Sequence, residues 1–219
     1  MKSVLVVVAH PDDAEISMGM RIRWHALRGD RVQVHCLTTG RPGADGEPVR
    51  RDECLRAGAL LGAEYSFSSI PDTRFVEHRG AINGELFNLF ERIRPDLVYT
   101  HYPQDQHLDH RITGDEVAVV AMREARDLLY FRSPYSQGFE PTLVFMGTAR
   151  LLNTKMKALA CFGSQSQLDM DIYRQLADVS YRQHVHHRVV ERFSTDMHCA
   201  ELFIIARRIE FADEIGPTG

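Results

Sequence analysis

The chain has 219 residues, 44% hydrophobic and 26% charged, with a net charge of −4 at pH 7. This is the profile of one sizeable folded domain, and its acidic balance gives no reason to expect nucleic acid or an anionic membrane as a partner. The apolar stretches are too short to cross a bilayer, no signal-peptide pattern follows Met1, and Cys36, Cys54, Cys161 and Cys199 form no CxxC pair. Reduced thiols in a cytoplasmic protein are the expectation.

Val4–Val8 is a β-branched run closed by His10-Pro11 and reads as a buried strand. Ile16, Met20, Trp24 and Leu27 then share one helical face that Gly29 ends. Val32–Thr38 is a second strand, and Gly40 to Pro48, with three Gly and two Pro, reads as a loop. Arg50–Leu61 is a helix stopped by Gly62, and Tyr65–Ser68 a short strand. Ile82, Leu86, Leu89, Phe90 and Ile93 make an amphipathic helix closed by Pro95. Leu97–His101 is the fourth strand, and a helix follows through Val117, Val120 and Ala121.

Beyond residue 127 the pattern loosens. Leu128–Arg132, Thr142–Met146 and Ala200–Ala206 look like strands, Lys155–Phe162 and Asp169–Gln183 like helices, and the polar tail Asp213–Gly219 reads as frayed. Strands alternating with helices predict an α/β, Rossmann-like three-layer sandwich with a mostly parallel sheet, plus a smaller mixed C-terminal part. No repeat or linker divides the chain. A single domain over 1–219 is expected, with a Rossmann-like half (1–127) that carries the site and a C-terminal half (128–219) that shapes the substrate entrance.

The glycine-rich dinucleotide fingerprint is absent after the first strand, and His10-Pro11-Asp12-Asp13 stands in its place. A second cluster, Asp105-Gln106-His107-Leu108-Asp109-His110, follows the fourth strand. Two clusters of metal-compatible side chains after two strands of one sheet suggest a single bipartite metal site. Catalytic zinc commonly takes three His or carboxylate ligands and leaves a position for water. His10 and Asp13 can supply two, and His110 the third. Asp12 then remains as a spare carboxylate able to take a proton from water. Asp109 or Asp105 could orient His107 and keep it protonated, so that it stabilises an oxyanion or protonates a departing amine.

Simpler readings stand beside these. Asp12 with Glu15 three residues on also fits an acidic capping box. Arg50 could pair with Glu53 along its own helix, and Asp72 after Pro71 could be a turn residue. His101 reads as structural. His25 and His35 read as packing or surface residues, and His184, His186 and His187 as an exposed helix end.

Ala9-His10-Pro11-Asp12-Asp13-Ala14-Glu15-Ile16, together with Pro103-Gln104-Asp105-Gln106-His107-Leu108-Asp109-His110, resembles the PIG-L/LmbE-type zinc N-deacetylases. Arg50 with Glu53 ahead of Leu61-Gly62, and Ile70-Pro71-Asp72-Thr73-Arg74-Phe75, are similar to two further family segments in the same order. The resemblance implies Zn²⁺, or Fe²⁺ in vivo, held by His10, Asp13 and His110, with Asp12 as base. It implies His107, supported by Asp109, as electrostatic or acid partner, and Arg50 and Asp72 as ligands of sugar hydroxyls. The implied substrate is a small acetylated amino sugar of the N-acetylglucosamine type, and the implied assembly is a homo-oligomer. Ser17 and Met20 stand where the family often has Gly, and 132–198 aligns with no member, so the aglycone is not readable. The competing readings are an amidase acting on a sugar–thiol conjugate and a metal-dependent sugar-binding protein without turnover. The second leaves Asp12 without a purpose. A Mg²⁺ phosphohydrolase built on paired Asp would fit two His ligands poorly.

Overall fold

The computed structural model describes residues 1–40, 49–194 and 196–211; the loop read at Gly40–Pro48, but for Gly40 itself, and the tail read at Asp213–Gly219 lie outside the described residues. In chain order the elements are β1 (Ser3–Val8), α1 (Asp13–Leu27), β2 (Arg31–Cys36), α2 (Val49–Leu61), β3 (Glu64–Phe67), α3 (Arg79–Ile93), β4 (Leu97–His101) and α4 (Leu108–Glu124). There follow β5 (Asp127–Phe131), β6 (Leu143–Thr148), α5 (Ala149–Leu159), α6 (Met170–His184), α7 (His187–Phe193) and β7 (Met197–Arg207).

One seven-stranded sheet runs through both halves of the chain in the order β3-β2-β1-β4-β5-β7-β6. The first five strands are mutually parallel, and β7 runs antiparallel to both β5 and β6. This is the mixed C-terminal part that the looser pattern announced. Successive residues of a strand point to opposite faces. On β1, Val4, Val6 and Val8 therefore join a core shared with residues of α1, α2 and α5. Leu5 and Val7 join a separate core with residues of α3 and α4. A strand buried on both sides has no polar face to alternate with, which is why β1 is a continuous apolar run.

This topology decides where the site forms. From β1 the chain leaves to α1 on one face of the sheet, and from the adjacent β4 it leaves to α4 on the other. The two loops diverge at the carboxyl ends of neighbouring strands, where a crevice opens in doubly wound sheets. Gly114 lets α4 sit close against β4, since a Cβ there would meet the His101 carbonyl oxygen at 2.6 Å. Two features were not legible in the periodicity: α7, and a break in α1 at Met18 (φ −148°, ψ 26°).

Candidate metal centre

The β1–α1 loop is tightly wound. Asp12 has φ 93° and ψ −23°, a left-handed conformation uncommon for a residue with a side chain. Asp12 occupies the N-cap position of α1 but makes no side-chain capping bond, so the capping-box alternative does not hold. Its carboxylate instead accepts from Arg50 of α2 at 2.8 Å, and the same guanidinium nitrogen donates to the Pro11 carbonyl at 3.0 Å. Arg50 is thus a clamp on the loop as well as a cavity-lining residue. Glu53, its expected alternative partner, accepts from the Ser164 backbone and hydroxyl instead.

Asp13 is the hub. Its Oδ2 accepts the His10 backbone N–H at 2.8 Å, lies 3.5 Å from His10 Nδ1 and 3.2 Å from His101 Nε2, and its Oδ1 lies 3.4 Å from His110 Nε2. Burial opposes ionisation of Asp13, but His110, His101 and His10 outweigh it and hold the carboxyl well below its ordinary range. Asp12, one residue earlier, goes the other way. Burial and the charge of Asp13 raise its pKa to about 7, against the pull of Arg50 and His10. Two adjacent carboxylates are therefore set apart: one stays an anion and the other is poised to take up a proton near neutrality.

The β4–α4 loop supplies the other half. Burial works against protonation of His110, yet Asp13 and Asp105 raise its pKa to about 9. Its Nδ1 lies 3.3 Å from Asp105 Oδ1, the oxygen that also accepts the His107 backbone N–H at 2.9 Å. Asp105 Oδ2 takes the hydroxyls of Ser133 and Ser136, which fastens the β5–β6 connection onto this loop.

Asp109 corrects an expectation. It was read as the support of His107, but its carboxylate meets His10 Nε2 at 3.2 Å and accepts the backbone N–H groups of Thr73 (2.8 Å) and Phe75 (3.4 Å). His107 precedes α4 and Asp109 lies in its first turn, and residues two apart at a helix start do not face each other. Among the described residues the buried Nδ1 of His107 has no hydrogen-bond partner. Burial and the charges of His110 and His10 lower its pKa, against the pull of Asp109 and Asp13. Asp72 lies 3.3 Å from His10 Nε2 and also lines the cavity.

The donors suit a metal ion. Bonds of about 2.0–2.2 Å in a tetrahedral shell set neighbouring donor atoms about 3.4 Å apart. His10 Nδ1 and His110 Nε2 lie 3.5 and 3.4 Å from the two oxygens of Asp13. Among the described residues, three groups bring donor atoms within 4.8 Å of one another: His10/His107/His110, Asp13/His101/His110 and His10/Asp72/Asp109; the expected trio His10/Asp13/His110 is not one of them, although His10 and His110 share the first group and both lie close to Asp13. His101 is the poorest candidate ligand. It is fully buried, its Nε2 faces the Ala9 N–H at 3.1 Å, and its ring stacks on His110 at 4.0 Å. It is nonetheless part of the cluster, at the strand end from which it could lie near the site. His10 turns Nε2 to Asp109 and Asp72 and leaves Nδ1 towards Asp13, the arrangement in which a carboxylate orients a ligating imidazole.

These groups border a cavity of about 450 Å³ lined by His10, Asp12, Asp13, Arg50, Asp72, His107 and His110. Tyr135, Tyr173 and Gln165 from the C-terminal half complete it. Gln165 belongs to Gly163-Ser164-Gln165, a weak echo of the family's C-terminal half, whereas Tyr135 and Tyr173 lie where no motif marks them. Outside the site, His186 caps α7 and His184, His186 and His187 are exposed, as expected. His25 and His35 are buried against Asp30 with Tyr99, and against Ser66 with Ser68. All four cysteines are free, and no described helix is long and apolar enough to cross a membrane.

An open, mostly parallel sheet with converging His and Asp side chains at its switch point defines a Rossmann-like α/β protein with a candidate metal centre. The family model for PIG-L, GlcNAc-PI de-N-acetylase, matches residues 5–121, and the chain belongs to that family. It is 28% identical over 139 residues to the uncharacterized deacetylase YaiS of Escherichia coli, covering 61% of this chain and 75% of that protein. It is 26% identical over 195 residues to a 4-oxalmesaconate hydratase of Pseudomonas putida, covering 76% of this chain and 75% of that one. The crystal structure of the 4-carboxy-2-hydroxymuconate hydratase GalB from Pseudomonas putida KT2440 superposes with a TM-score of 0.82 at 23% identity, over 97% of this chain and 99% of that chain.

Proposed function

We propose that this protein is a cytoplasmic, metal-dependent hydrolase that removes the N-acetyl group from an N-acetylglucosamine-type conjugate, releasing acetate and a free amine. The family it belongs to and its deacetylase relative support that class of reaction. The observation that carries the reading is the placement of Asp12, a buried carboxylate held by Arg50, beside the His10, Asp13 and His110 donors.

His10, Asp13 and His110 would hold Zn²⁺ or Fe²⁺. Such an ion polarises an amide carbonyl and lowers the pKa of a coordinated water to about 7. Asp12 takes the proton of the attacking water, held in place by Arg50. His107 donates an N–H to the oxygen that becomes the oxyanion. The proton gathered by Asp12 then goes to the departing amine as the C–N bond breaks. Asp109 orients His10, and Asp72 and Arg50 border the space a sugar would fill. An amine-release assay on N-acetylglucosamine derivatives tests the reading. Asp12→Asn should retain its metal and lose turnover; a metal-loaded variant with full activity would remove Asp12 as base.

A second reading is favoured by the hydratase relative, whose similarity spans more of the chain than that of the deacetylase relative. The same base could direct water to the C=C bond of an unsaturated polycarboxylate. Loss of ultraviolet absorbance from such a compound, with no amine release from any acetamide, would select it.

A further inference from the structure

Beside the metal-side cavity lies a smaller one of about 170 Å³, and the two adjoin across Ile16, Pro134 and Tyr173. Its apolar wall includes Leu176 and Leu202. Its charged wall begins with the break in α1. A helix that restarts exposes unpaired backbone N–H groups. Glu201 of β7 accepts those of Met20 (3.0 Å) and Arg21 (2.8 Å), and Lys155 of α5 neutralises it at 2.8 Å. Both members of that ion pair are buried. Glu201 is fully engaged and balanced, whereas Lys155 spends one of its three N–H donors on it. Arg132, just past β5, lines the same cavity with an exposed side chain and has no carboxylate partner among the described residues. The cavity therefore carries one uncompensated positive charge, in contrast to Arg50 next door, which is paired with Asp12.

We propose that this second cavity is a subsite for a carboxylate-bearing substituent of the substrate, with Arg132 as the recognising group and Lys155 as a flanking donor. The planar fork of a guanidinium matches a carboxylate with two parallel hydrogen bonds. A single surplus cation fits a singly charged group better than a phosphate. The proposal rests on the metal-side reading for where the reacting amide sits, and it places the anionic group one cavity away, past Tyr173.

The test uses the metal-loaded protein and two probes, methyl 2-acetamido-2-deoxy-D-glucopyranoside and the matching carboxymethyl glycoside, with amine release as readout. The wild type should favour the carboxymethyl compound about tenfold in kcat/KM, equivalent to ~1.4 kcal/mol, expressed in KM. Arg132→Gln should bring that ratio to about one, and so should Ser180→Leu, which fills the cavity that Ser180 lines. A wild-type ratio of one, or a ratio unchanged in Arg132→Gln, overturns the subsite. If neither glycoside is turned over, the deacetylase reading fails and calorimetric titration with succinate decides the subsite. Affinity about tenfold weaker in Arg132→Gln than in the wild type supports it, and equal affinity overturns it.

Discussion

Replacing Arg50 with Met separates two roles that the sequence and the geometry assign to it. Its guanidinium lies 2.8 Å from the Asp12 carboxylate, in a setting where both side chains are largely buried. An opposite charge at that distance lowers a carboxyl pKa by about 1–3 units. Without it, Asp12 should rise from about 7 by that amount. A base acts only when ionised, so activity is lost as pH falls through its pKa. The acid limb of kcat/KM should therefore move 1–3 units alkaline, by the same charge effect. At the pH of the wild-type midpoint the ionised fraction would drop from about one half to about one tenth or less, a loss of at least about fivefold that alkaline pH restores. A bound cation lowers the starting value in both proteins and leaves the direction of the shift intact. The assay is a pH profile of amine release. A pH-independent loss, with the acid limb unmoved, would refute the clamp and return Arg50 to the sugar-binding role implied by the family resemblance.

Three further outcomes follow from the same contacts. Asp105→Asn weakens the positioning of His110 and of the 133–136 connection, and should reduce metal affinity about 10–100-fold in chelator competition. His107→Ala should lower kcat about 10²–10³-fold with metal content unchanged, and His107→Gln, which keeps an N–H donor, should recover part of it. Glu201→Ala strands a buried Lys155 and two backbone N–H groups. It should cost about 3–5 kcal/mol in urea unfolding, and pairing Lys155→Met with Glu201→Gln should recover most of that.

The parallel half of the fold was legible because each strand is an apolar run and each helix has a periodic face. β4 begins and ends where its sequence implies. The site was legible in part for a related reason: ligand-bearing loops follow β1 and β4, strands that the 3-2-1-4-5 order of this sheet makes neighbours. What spacing could not show is contact across the sheet. Arg50 finds Asp12 from 38 residues away, and Asp109 finds His10 from 99. Both were given local partners in the sequence reading. Glu201 of β7 accepts the N–H groups of Met20 and Arg21 at the break in α1, a contact that spacing along the helix does not show, although Gly19 beside Met18 marks the place. Tyr135 and Tyr173 reach the cavity from positions in the C-terminal half that no motif marks.

The convergence of the His10–Asp13 and Asp105–His110 loops on one cation is tested most directly by equilibrium zinc titration of the metal-stripped protein, followed by mass spectrometry under native conditions. About one ion per chain is expected for the wild type, with the stoichiometry kept in Asp12→Asn and lost in both His110→Ala and Asp13→Ala. Full zinc retention in His110→Ala, or a wild-type protein that takes up none, would contradict it.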